Sequence, residues 1–193
     1  MTRGAVLVAY GAKAERFAQR AQDAARNVCP DLPVQIRNKR IGGLTDMQKS
    51  RLAKVTLLDW TPFDHTVYMD ADTVANQDFS VGFDILDDGW DLALAPSSNQ
   101  CDKWLWHVSD DERAQTRTNV GDSLQLQAGV FFVARNDRTR ALWHAWRQEW
   151  ERWQGQDQGA LLRALYRVPV KVWLLGHVFN GGAVIGHSWG AIR

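Results

Sequence analysis

Val67-Tyr68-Met69-Asp70-Ala71-Asp72-Thr73-Val74 is an apolar run that ends in two carboxylates one residue apart. As a buried strand running into a loop, it puts Asp70 and Asp72 where the chain leaves the core. Side chains two apart on extended backbone share a face, so this pattern predicts two hard oxygen donors pointing the same way. Such a pair suits Mg²⁺ or Mn²⁺, which take oxygen ligands and bridge a protein carboxylate to substrate phosphates. An isolated Asp-x-Asp is more often only a turn after a strand. Its position after a hydrophobic strand and its partners further along decide between the two.

The 193 residues, 45% hydrophobic and 23% charged, suffice for one domain with a sizeable core and are short for two. A formal net charge of +1 gives no general attraction to nucleic acid or membrane. The Arg37–Arg40 cluster is too small a basic patch to make nucleic acid the expected partner. Cys29 and Cys101 stand far apart with no Cys-x-x-Cys or Cys/His ligand pattern, so a reduced, cytoplasmic chain is expected. The apolar run at residues 5–9 is too short for a signal segment or a membrane span. Ten tryptophans are unusual at this length, and on helices their default place is the core or a partner-facing surface.

Residues 4–11 read as a first buried strand, followed by a helix over 14–28 whose apolar positions recur at helical spacing. A short strand at 34–36 and a basic, glycine-containing loop at 37–43 come next. Residues 46–58 have helical composition, and 84–89 read as a turn before a strand at 90–96. Residues 97–123 are polar and lack periodicity, which predicts a mobile loop and an acceptor-side lid. A strand at 127–134 precedes a strongly amphipathic helix at 137–153 carrying Trp143, Trp146, Trp150 and Trp153, a stripe expected in the core. Asp157 stands before an apolar segment, where it could serve as a helix N-cap. Short strands at 170–175 and 183–185 complete an α/β fold: a mostly parallel sheet flanked by helices, with a Rossmann-like nucleotide-binding half.

In this order the chain resembles the GT-A glycosyltransferases, and among them the glycogenin-like and galactosyltransferase-like retaining enzymes of glycosyltransferase family 8. The resemblance is carried by a first strand ending Ala9-Tyr10, Lys54, Met69-Asp70-Ala71-Asp72-Thr73, Gln127-Ala128-Gly129-Val130-Phe131, Asp157-Gln158-Gly159, Phe179-Asn180, and His187-Ser188-Trp189-Gly190-Ala191-Ile192-Arg193. It spans nearly the whole chain. There are departures: Gln127 stands in place of the family's Asn, Arg193 in place of its terminal lysine, and Gln154 where many members have an acid. A longer amide at 127 alters which sugar hydroxyls are met, whereas arginine for lysine preserves phosphate binding and adds a fork of donors.

The resemblance implies one GT-A domain over residues 1–193. It would move a hexose from a nucleoside-diphosphate sugar, a UDP-sugar, to an acceptor of unknown class, with retention. Asp70, Asp72 and His187 would ligate Mn²⁺ or Mg²⁺, the imidazole tilting the choice toward Mn²⁺. Ala9 and Tyr10 would hold the nucleotide, Lys54 and Arg193 the diphosphate or sugar, with Ala71, Gln127, Ala128, Gly129 and Gly190 lining the donor. Asp157, with Gln158 beside it, would face the anomeric carbon, either as nucleophile or in front-face attack. His65, His107, His144 and His177 match no site. Self-association into a homo-oligomer is compatible with all of this. Two alternatives remain: a nucleotidyltransferase, for which Tyr10-Gly11-Ala12-Lys13 is a poor phosphate loop, and a non-catalytic GT-A-like binding module.

Overall fold

The computed structural model describes residues 1–39 and 41–189. Its central sheet has six strands: β1 (Arg3–Val8), β2 (Val34–Arg37), β3 (His65–Asp70), β5 (Leu92–Pro96), β6 (Leu126–Ala134) and β7 (Val172–Leu174). They lie in the order β2-β1-β3-β6-β5-β7. The β1–β2, β1–β3 and β5–β7 pairings are parallel, and β6 runs antiparallel to both of its neighbours. A second, two-stranded antiparallel sheet joins β4 (Thr73–Ala75) to β8 (Ile185–His187).

Alternation along the buried strands supplies two core faces. Ala5, Leu7, Val67, Met69, Val130 and Phe132 face α1 (Ala12–Val28) and α4 (Val81–Asp87), where Ala18, Ala21, Phe83 and Leu86 meet them. Val6, Val8, Tyr68, Phe131 and Val133 face the other way. That side is covered by α2 (Asp46–Val55), α3 (Leu57–Trp60), α6 (Asp137–Trp153) and α7 (Asp157–Arg167). Three tryptophans of the α6 stripe are core, Trp143, Trp146 and Trp150, each 4% exposed or less and the first two packed around Phe131, while Trp153 on the last turn is half-buried. Burying indoles there leaves their N–H groups in need of partners, and each finds a backbone carbonyl: Lys54, Asp157 and Gly155 respectively.

Several local expectations change. The 46–58 helix breaks at Thr56, whose hydroxyl bonds back to the Leu52 carbonyl, so that α3 starts afresh. Residues 84–89 are not simply a turn. The helix α4 runs to Asp87, held by Phe83 and Leu86. The segment 97–123 is not one loop: it contains a 3₁₀ turn at Cys101–Lys103 and α5 (Asp110–Val120), capped by the Ser109 hydroxyl on the Glu112 N–H. The inner face of α5 is Glu112, Thr116 and Val120, and Arg163 of α7 satisfies the first two, so no apolar stripe was needed. The late strands are shorter or displaced: Val172–Leu174, and Ile185–His187 rather than 183–185. Among the described residues no helix is long and apolar enough to cross a membrane.

Candidate functional site

The parallel strands β1 and β3 end side by side, Val8 opposite Asp70, and β6 enters next to them in the opposite sense. One residue beyond the Met69–Val130 pair, Asp70 lies beside Gly129. The chain then turns through Ala71 and Asp72 into β4, so the two acids do not share one extended strand as expected; a turn brings their oxygens together. The β4–β8 ladder supplies the third member. Thr73 pairs with His187 and the Ser188 N–H donates to the Asp72 carbonyl, which fixes an imidazole from the far end of the chain against Asp72.

His187 Nε2 lies 3.1 Å from Asp72 Oδ1 and 3.9 Å from Asp70 Oδ2. One ligand atom from each of Asp70, Asp72 and His187 falls within 4.8 Å of the others. The other ring nitrogen, Nδ1, sits 2.7 Å from Oδ1 of the fully buried Asn180; with its proton on Nδ1 donated to that amide oxygen, the imidazole would be set to ligate a cation through Nε2. The 3.1 Å approach of Nε2 to Asp72 Oδ1 is that of a hydrogen bond, and a cation ligated by all three groups would take the place of its proton. Gly129 makes the convergence possible, because a Cβ there would lie 2.5 Å from His187 Cε1 and 3.0 Å from Asp70 Oδ2. The glycine of β6 is a slot for the imidazole.

Behind the trio lies a buried ion-pair relay. Lys54 Nζ, on the last turn of α2, is 2.9 Å from Asp70 Oδ1 and 2.7 Å from Asp157 Oδ2. It also stands 4.9 Å from the centre of the Tyr68 ring. The Tyr68 hydroxyl donates to the same Asp70 Oδ1 at 2.7 Å. Oδ1 of Asp70 is thus occupied and Oδ2 faces His187. Burial opposes the charge on Lys54, but the carboxylates of Asp157 and Asp70 outweigh it and hold the ammonium above its usual range. Burial likewise disfavours ionised Asp157, and the Lys54 charge and hydrogen bond overcome it, leaving the carboxyl below the ordinary range. Asp72 follows the same logic, with burial outweighed chiefly by the His187 contact. Burial and the Asp70 charge push the Tyr68 phenol well up, so it stays a donor.

All of these groups open into one cavity of about 710 Å³ at the ends of the strands. Of the expected residues, Tyr10, Lys54, Asp70, Ala71, Asp72, Gln127, Ala128, Gly129, Asp157, Gln158 and His187 line it. Ala9 does not: it is fully buried, packs with the α1 side of the core and donates its N–H to the Arg37 carbonyl. Gly190 and Arg193 lie outside the described residues. Asp157 is the first residue of α7 rather than its cap, since Gln156 takes that position and the carboxylate is turned to Lys54. The Tyr10 hydroxyl is buried with no hydrogen-bond partner among the described residues, an orphan donor on the wall of a cavity. Gly11, at φ 90°, leads into α1 with an Asp46 oxygen 2.6 Å from where its Cβ would be, and a carboxylate there is a poor neighbour for a phosphate loop.

Sequence reasoning missed Arg51, Tyr68, Trp106 and His107, all on the cavity wall, and of these only Tyr68 carried a readable signal, two residues before Asp70 on the same strand. Asn180, behind His187, belongs to the Phe179-Asn180 pattern noted in the sequence but was given no role there. His65 is buried beside Asp87 at the opposite end of β3, with Nδ1 2.9 Å from a carboxylate oxygen. The cavity wall carries four carboxylates, of Asp46, Asp70, Asp72 and Asp157, against the two cationic side chains Arg51 and Lys54 among the described residues. A polyphosphate enters such a field only together with a metal cation. Two carboxylates and an imidazole with its far nitrogen fixed are a donor set that fits Mn²⁺ or Mg²⁺.

No protein-family model and no curated protein matches this sequence. Solved structures do match in fold. Mouse xyloside xylosyltransferase 1 in its apo form superposes with a TM-score of 0.64 at 12% identity, over 100% of this chain and 99% of that one. The bifunctional glycosyltransferase WbbM, also apo, gives 0.63 at 14% identity over 90% of this chain, which spans only 38% of WbbM. The galactosyltransferase LgtC with donor and acceptor sugar analogues gives 0.55 at 14%, over 84% of this chain and 70% of LgtC. The α/β architecture is that of the GT-A glycosyltransferases.

Proposed function

We propose that the 193 residues act as one GT-A transferase unit, related to glycosyltransferase family 8, that moves a hexose from a UDP-sugar to an acceptor with retention. The observation that carries this reading is the meeting of Asp70 and Asp72 with His187, 115 positions beyond Asp72 in sequence, in the same cavity as the Lys54–Asp157 pair. In this reading Asp70, Asp72 and His187 hold Mn²⁺, or Mg²⁺. The bound ion supplies Lewis-acid neutralisation of the charge that gathers on the departing diphosphate.

The protein's own groups do the rest. Tyr10, with its orphan hydroxyl, takes the nucleoside at the β1 side of the cavity. Lys54 holds the metal-facing Asp70 and Asp157 in fixed relation and adds positive charge near the diphosphate. The anomeric carbon–phosphate oxygen bond breaks, the bond to the acceptor oxygen forms, and the acceptor's proton leaves on the diphosphate. Asp157, ion-paired and held ionised, is better suited to stabilising positive charge at the anomeric carbon than to attacking it, which favours front-face attack over a covalent intermediate. Gln158 donates through Nε2 to the Leu126 carbonyl, which leaves its amide oxygen for a sugar hydroxyl.

The test is the release of UDP from a panel of UDP-sugars with and without Mn²⁺. The expected result is metal-dependent release that falls by about 10²-fold or more in Asp72→Ala. Equal turnover by that variant would remove the mechanism.

A further inference from the structure

The strand order alone separates two ends of the cavity. Tyr10 follows β1, and residues 97–109 follow β5, three strand spacings away, or about 14 Å. At the β5 end stands Trp106, its indole 57% exposed on the cavity wall. Trp104 and Leu105 are 4% and 0% exposed and form a small core with Val108, Val120 and Leu162. Trp104 Nε1 donates to the Ser123 carbonyl at 2.8 Å, and the Leu105 N–H to Gln125 Oε1 at 2.7 Å. Leu105 and Cys101 hold left-handed backbone, φ 47° and 52°, an uncommon conformation for non-glycine residues that persists only where the surroundings enforce it.

The same segment is anchored to the helix that bears Asp157. Val108 Cγ1 lies 3.6 Å from where a Cβ on Gly159 would be, two residues past Asp157. Glu112 of α5 pairs with Arg163 of α7 at 3.1 Å, both 2% exposed. A scaffold whose buried part, Trp104, Leu105 and Val108, is tied to the Asp157-bearing helix thus carries one large aromatic side chain on the cavity wall. The other wall residues of this segment, Ser98, Asn99 and His107, are polar, as is Gln156 before Asp157, which accepts from Arg51 at 2.9 Å. A flat apolar face ringed by hydroxyl and amide groups matches a pyranose, whose C–H face is apolar and whose rim is hydroxyls; it does not match the apolar groove a peptide needs.

We propose that the acceptor is a carbohydrate and that Trp106 is the platform on which its ring stacks. This rests on the transferase reading above: with the nucleoside toward Tyr10 and the anomeric carbon at Asp157, the next ring along the cavity meets Trp106.

The experiment uses the whole chain and its Trp106→Ala and Trp106→Phe variants, with UDP-sugar, Mn²⁺ and a panel of methyl glycosides of glucose, galactose, mannose and xylose as acceptor probes. Mass spectrometry detects the disaccharide, and calorimetry measures UDP affinity in Mn²⁺. At least one glycoside is expected to yield a disaccharide. Trp106→Ala is expected to raise its KM on the order of 10-fold with UDP affinity unchanged, and Trp106→Phe to restore most of the loss. An unchanged KM overturns the proposal, as does weakened UDP binding in Trp106→Ala, which would assign the indole to the nucleobase. Transfer only to a serine or tyrosine peptide, or to no glycoside while UDP is still released to water, also overturns it but leaves the transferase reading standing. Wild-type protein that releases no UDP from any UDP-sugar removes both.

Discussion

Replacing Gly129 by alanine tests whether the slot in β6 sets the metal site. The added Cβ would stand 2.5 Å from His187 Cε1 and 3.0 Å from both His187 Nδ1 and Asp70 Oδ2. Carbon atoms rest about 3.5–4.0 Å apart, so the imidazole must retreat by roughly 1 Å. It cannot do so freely: Nδ1 is bonded to the buried Asn180, and its backbone lies in the ladder with β4. A shift of that size is several times the tolerance of about 0.2 Å within which a ligand must be placed. The expected loss is on the order of 10–100-fold in Mn²⁺ affinity, at an overpacking cost of about 1–3 kcal/mol that leaves the protein folded. Electron paramagnetic resonance of free Mn²⁺, in the presence of UDP, reads the affinity, and thermal melting without metal reads the fold. Gly42→Ala, whose Cβ would meet nothing within 4 Å, is the matched control and should change neither. A folded Gly129→Ala protein with wild-type Mn²⁺ affinity would refute the reasoning.

Lys54→Met strips the cation from two carboxylates that close on it at 2.7 and 2.9 Å, and urea denaturation should show a loss of about 3–5 kcal/mol. Adding Asp157→Leu should recover much of that stability while leaving turnover abolished; recovery of turnover would remove both residues from the mechanism. The pH dependence has a definite sign. Asp157 is depressed in the folded state, so its contribution is present above the ordinary carboxylate value of about 3.9 and is lost as pH falls through the depressed one. Lys54 is raised, so its contribution holds up to the ordinary lysine value of about 10.4 and is lost only as pH rises through the raised one. Melting temperature should therefore fall on acidification below about pH 4, and Asp157→Asn should flatten that acid limb.

Much of the candidate site was readable because strand ends carry chemistry in open α/β sheets: β3 with its two acids and the β6 glycine announce themselves locally, whereas the late histidine was singled out only by the family resemblance. The unread parts depend on contacts between distant residues. Lys54 was named through the resemblance alone, and its pairing was unread: it looks like a solvated helix lysine until α7 and β3 close on it from 103 and 16 positions away. The inner face of α5 is glutamate, threonine and valine, so its burial rests on Arg163, which no hydrophobic period can signal. Trp106 is invisible for a related reason: its exposure is set by the burial of Trp104, Leu105 and Val108 near it in the chain. Trp143, Trp146 and Trp150 of α6 read correctly as core, but that the first two hold the carbonyls of Lys54 and Asp157 through their N–H groups follows only from the packed structure.

The most direct test of the account is a crystal grown with Mn²⁺ and UDP, with data collected at the manganese absorption edge. A single anomalous peak about 2.0–2.2 Å from Asp70, Asp72 and His187 Nε2, bridged to the diphosphate, is what the account predicts. Bound UDP with the manganese peak elsewhere, or with none between these three side chains, would contradict it.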